Sequence, residues 1–130
     1  MAQRWKTQIN ENAKWPAWWS AMPELDHNEI VSWSSLSAVT SRHVGIISLR
    51  DDSESPRIEA RYTHTSRLTE DHVPWVGEVW SQGVSRLERI MSLCAMGDLV
   101  SLELATAGEI DPMAIPELES LKQLLGKEPQ

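Results

Sequence analysis

Residues 71–97, DHVPWVGEVWSQGVSRLERIMSLCAMG, decide the fold. Val73, Val76, Trp80, Val84, Leu87, Met91 and Cys94 recur three or four positions apart. That spacing predicts one long amphipathic helix over about 72–96. Asp71 is placed to cap its start, Pro74 falls in the first turn where a missing N–H is no loss, and Gly97 is placed to end it. Gly77 and Gly83 weaken such a helix by roughly 1 kcal/mol each relative to alanine, a cost accepted where a second backbone comes close. On this reading the helix lies tightly on a sheet.

The flanking segments supply that sheet. Residues 43–50, HVGIISLR, read as a strand apolar on both faces. In 57–65, RIEARYTHT, the chain alternates: Ile58, Ala60, Tyr62 and His64 against Arg57, Glu59, Arg61, Thr63 and Thr65. The two strands form an antiparallel hairpin across the polar loop DDSESP. Residues 99–106, LVSLELAT, make a third strand with Val100, Leu102 and Leu104 inward. Pro116 opens a last helix carrying Leu118, Leu121 and Leu125, closed by Gly126. The expected class is α+β: a small, mainly antiparallel sheet packed by one long helix, with short N-terminal helices and a C-terminal helix.

This makes one domain over 1–130, with 1–13 frayed unless Trp5 and Ile9 dock, a tryptophan-rich helical segment at 14–40, and the core at 41–130. In KWPAWWSAMPE (14–24), Trp15, Trp18, Trp19 and Met22 share one face of a short helix bracketed by Pro16 and Pro23. A helix that short needs its indole face docked, on the sheet or on a partner. Asp26 and Glu29 form a capping-box pattern before a helix at 27–39, although Ile30, Val31 and Trp33 suit a strand equally well.

Composition excludes several functions. The chain has 19 acidic residues against 12 basic ones and a net charge of −7, with no Lys/Arg block, so it is no phosphate-backbone binder. Its one cysteine, Cys94, cannot form an intrachain disulfide, which fits a reducing compartment. The opening MAQRWKTQINENAK lacks the apolar run of a signal peptide, and no segment is expected to span a bilayer, so the expected address is the cytoplasm.

Chemistry is sparse. HExxH, CxxC, GxSxG, GxGxxG and GxxxxGK[ST] are all absent, so no catalytic residue, metal or cofactor is expected. His64 stands beside Tyr62. His27 and His72 follow acidic residues at helix starts, where capping explains the acids. His43 has no evident partner, and Cys94 lies on an apolar stripe. Arg50, Arg57 and Arg61, with Glu59 nearby, are the best small-anion candidates.

The expected function is therefore non-enzymatic: an acidic protein-binding domain that inhibits or adapts a partner protein, in the physical manner of an immunity protein, antitoxin or anti-defence factor. Trp15, Trp18 and Trp19 would make contact together with Asp51, Asp52, Glu70 and Asp71, against a basic surface or a second copy. Neither nucleic acid nor membrane is an expected partner. Two alternatives stand beside it: a subunit or chaperone of a larger assembly, and a small enzyme or anion-binding domain built on His64, Tyr62 and Arg61.

Overall fold

The computed structural model describes residues 1–127. The chain opens with α1 (Ala2–Gln8), which continues as a π-helical turn over Ile9–Ala13. Residues 14–21 have no helix; 3-10 turns follow at Glu24–His27 and Glu29–Val31. Then come α2 (Ser32–Ser35), α3 (Ser37–His43), β1 (Ile46–Arg50), α4 (Pro56–Thr69), β2 (Val76–Trp80), α5 (Arg86–Ala107) and α6 (Pro116–Leu125). The two strands are parallel, in register from Ile46 opposite Val76 to Arg50 opposite Trp80. With α4 as their crossover they form a βαβ unit.

The expected α+β fold with a three-stranded antiparallel sheet is thus wrong, and each error has a local cause. The predicted helix over 72–96 is β2, a loop, and the first half of α5. Pro74 holds Val73 extended (φ −135°, ψ 154°), and Val76, Val79 and Trp80 favour a pleated surface. The helix begins only at Ser85, whose side chain accepts from the Glu88 N–H while Glu88 accepts from the Ser85 N–H. The predicted strand at 57–65 is α4. Pro56 occupies its first turn, and the inward positions are Ile58, Tyr62, Thr65 and Thr69, a helical spacing that mimics alternation over a short window. The predicted strand at 99–106 is the second half of α5, and Gly97 lies inside that helix rather than at its end. No hairpin forms among the described residues, because the chain leaves β1 into a helix.

The core lies between α1 and α5. Gly97, Ser101 and Ala105 follow one another at i, i+4 and i+8 and are buried, giving α5 a shallow groove of small residues. Trp5, 4% exposed, fills its upper end and donates its indole N–H to the Leu93 carbonyl (2.7 Å). A Cβ on Gly97 would stand 2.5 Å from Trp5 Nε1, so only glycine admits the ring. Below it, Ala13 is fully buried and Asn12 donates to Ser101 Oγ (2.8 Å). The predicted apolar stripe of Val84, Leu87 and Met91 is instead exposed. So is much of α6, where Leu118, Leu121, Leu124 and Leu125 face outward. By length and composition alone α5 is apolar enough to cross a membrane. Splitting its sequence at Gly97 hid that run.

The helix expected over 27–39 forms in pieces, a 3-10 turn at Glu29–Val31, then α2, then α3 from Ser37, whereas the short helix expected around 16–22 does not form. Lys14 adopts a left-handed conformation (φ 58°) that ends α1 and its π turn, and Trp15, Trp18 and Trp19 then run through irregular chain, 47%, 76% and 49% exposed. Their indole face is not docked, so nothing offsets the cost of nucleating a helix so short.

Candidate functional site

Three places gather ionisable groups. The first is the carboxyl end of the two strands, where ligands commonly sit in α/β folds. Arg50 closes β1 and is 4% exposed. Its guanidinium binds Glu54 (2.9 Å) and Glu78 (2.5 Å) and stacks between the rings of Tyr62 (4.3 Å) and Trp80 (4.6 Å). Burial alone would lower its pKa, but the two carboxylates more than reverse this and raise it. Burial pushes the Tyr62 hydroxyl up, Glu54 adds to the rise, and the Arg50 charge opposes it.

Next to it, Asp51 accepts from the Ser53 hydroxyl, the Ser81 hydroxyl (2.5 Å) and the Ser53 N–H (2.9 Å), with Arg89 3.5 Å away. Those donors hold its carboxyl down at about 2. The start of α5 is filled by Glu88, which accepts from the Val84 and Ser85 N–H groups and is lowered by them. This end of the sheet is a self-satisfied clamp. The charge of Arg50 is spent on two glutamates.

The second place is a groove of about 420 Å³ between α4 and the turns at 24–31. Asp26, Ile30, Arg57, Arg61, His64 and Thr65 are among the residues that line it. Asp26 accepts from Arg61 (2.7 Å) and Thr65 (2.8 Å), which ties the turn to the helix and leaves the neighbouring His27 exposed.

The third is the π turn. An extra residue per turn is uncommon and recurs at functional sites. Here it displays the exposed Glu11, which makes no ion pair among the described residues, and it ends in the left-handed Lys14. Backbone strain of this sort at a non-glycine residue persists only where its surroundings hold it. Lys14 Nζ donates to the carbonyls of Glu11 (2.5 Å) and Pro112 (3.2 Å), and Asn10 donates to the Trp15 carbonyl (2.6 Å). The carboxylate therefore projects from a turn braced on both sides.

The structure separates most of the residues expected to act together. Asp51 and Asp52 precede α4, and Glu70 and Asp71 follow it, so its 14 residues put roughly 20 Å between the pairs. No hydrogen bond or ion pair among the described residues joins those acids to Trp15, Trp18 or Trp19. Arg57, Arg61 and His64 do meet, on the groove wall, whereas Arg50 lies in the clamp. Glu11 and Lys14 escaped notice because a π turn has no sequence signature. Among the described residues, no group of three or more His, Cys, Asp or Glu is placed to hold a metal.

Residues 1–125 match the family described as the bacterial phospho-glucose isomerase C-terminal SIS domain. A bifunctional phosphoglucose/phosphomannose isomerase from Caldicellulosiruptor bescii is 39% identical over 127 residues, covering 98% of this chain and 37% of the relative. The enzyme of the same name from Aquifex aeolicus is 33% identical over 127 residues, 98% of this chain and 39% of its own length. A D-glucosamine-6-phosphate 4-epimerase from Sulfolobus acidocaldarius shares 54% identity over 35 residues, 27% of this chain and 11% of its own. The chain spans under two fifths of the length of the curated isomerases it matches.

These kinships overturn the expectation of a non-enzymatic inhibitor or adaptor. The family and its relatives are named for isomerases and none for inhibition. An acidic balance and unshielded tryptophans describe a surface, and an enzyme's domain can carry such a surface as readily as a binding protein. The chain belongs to the bacterial phospho-glucose isomerase C-terminal SIS domain family.

Proposed function

We propose that this chain forms part of an aldose–ketose isomerase acting on phosphorylated glucose and mannose, and that Glu11 is its general base. The observation carrying the reading is the family match along residues 1–125. The chemistry asks for few groups. The sugar ring must open, and a proton must then move from C2 to C1 through an enediol. Glucose and mannose differ only at C2, so both collapse to one enediol, and a single carboxylate can serve the two substrates.

Glu11 suits that task. It is exposed, free of ion pairs among the described residues, and held on a braced π turn. His27 suits ring opening, where a side chain that can both donate and accept a proton is wanted. It is exposed on a turn that Asp26 anchors to α4. A cytoplasmic address accompanies this reading, since phosphorylated hexoses are intracellular metabolites.

The test is a coupled assay of the natural protein that carries these residues, run with glucose 6-phosphate and with mannose 6-phosphate. Glu11→Gln is expected to lower kcat for both by about 10²–10⁴-fold with little change in KM. A natural protein that turns over neither sugar ends the reading. Unchanged kcat in the Glu11 variant removes that residue as the base.

A further inference from the structure

Arg57, Arg61 and His64 stand at i, i+4 and i+7 along α4 and line one wall of the groove it makes with the turns at 24–31. Ile30 faces them, and Ala60 and Leu68 complete an apolar part of the lining. The volume, about 420 Å³, falls in the range that takes small ligands. The charges do not balance. Asp26 is the one carboxylate among the lining residues, and Arg61 and Thr65 already occupy it. Arg57 and His64 make no ion pair among the described residues.

We infer that this groove binds a small organic anion, a phosphate or carboxylate head carried on a compact apolar body. Arg57 offers a planar fork of donors to the head, His64 adds a ring N–H, and Arg61 shares the donors that Asp26 leaves over. The body rests against Ile30, Ala60 and Leu68. Neither Glu11 nor His27 lines the groove, so the inference stands apart from the isomerase reading.

The experiment is a titration of the protein, isotope-labelled for amide NMR, with phenyl phosphate and separately with inorganic phosphate. Phenyl phosphate is expected to move the amides of 26–30 and 57–68 saturably, and inorganic phosphate to move the same set with at least tenfold weaker affinity. Arg57→Ala and His64→Ala are each expected to weaken phenyl phosphate binding by about tenfold, as for loss of a charged hydrogen bond. Both side chains are exposed, so spectra elsewhere in the molecule should coincide with the parent and report an intact fold. Shifts that remain linear through tens of millimolar overturn the inference. So does equal affinity for the two probes, which denies the apolar wall a part, or binding that the double variant Arg57→Ala, His64→Ala leaves unchanged.

Discussion

Trp5 and Trp18 are the same residue in opposite circumstances. Trp5 lies on a helix facing another helix, above a glycine that makes room for its ring and a carbonyl that takes its N–H. Trp18 lies on irregular chain with 76% of its surface in water and no hydrogen-bond partner among the described residues. The difference shows what encloses an indole in this molecule: a vacancy in the opposing backbone and an acceptor, not apolarity alone. Trp75 repeats the first condition in part, since a Cβ on Gly45 would stand 2.4 Å from its ring. The stretch 14–21 offers neither vacancy nor acceptor to its three tryptophans.

Substitution at the two positions should separate them widely. Trp5→Ala is expected to cost about 3–5 kcal/mol by chemical denaturation, since it empties a packed site. Trp18→Ala should stay within about 0.5 kcal/mol. Similar costs at the two positions would erase the contrast. Gly97→Ala tests the vacancy itself. Alanine favours a helix by up to roughly 1 kcal/mol over glycine, yet the clash with Trp5 should win and leave a net loss of about 1–3 kcal/mol. A stabilised Gly97→Ala protein would mean that the ring can move aside.

The same contrast extends to charge. Glu54→Ala takes away one of two counter-ions of a buried guanidinium and is expected to cost about 3 kcal/mol, because an underpaired buried charge is left behind. Glu11→Ala, on an exposed carboxylate without an ion pair, should leave stability within about 0.5 kcal/mol. The smallest effect concerns acid. Asp51 has a folded pKa of about 2, below its unfolded value, so its contribution is complete above about pH 4 and fades as the pH falls toward 2. Glu88, also lowered, acts in the same direction. Asp51→Asn should flatten the acid limb of a stability profile and leave the neutral region's slope unchanged.

What the sequence made legible follows the same division. β1 and α6 lie where local signals were unopposed: an apolar β-branched run for one, Pro116 and Gly126 bracketing leucines for the other. Two errors came from periods that overlap, and a third from a glycine. Val73, Val76 and Trp80 fit helical spacing, but Pro74 and the β-branched neighbours belong to a strand. Ile58 and Tyr62 fit both a period of two and a helical turn, and Pro56 was the deciding residue. Gly97 looked like an end and was a seat for Trp5, a fact that depends on a residue 92 positions earlier and is invisible locally. Arg57 and Arg61 were expected on one strand face and His64 on the other, and the helix that stands in place of the strand brings all three to one wall. Glu11 was not singled out, since nothing in its neighbours marks a π turn.

The paired strands have a further consequence. Among the described residues each of them pairs on one side alone, so Ile46–Arg50 and Val76–Trp80 each keep one margin without a strand partner. Such margins are templates for a foreign strand. Prepared by itself, the chain should therefore gel or clump through growing ribbons as its concentration rises. A proline placed at an outward-facing N–H of either margin is the substitution most apt to keep it dispersed.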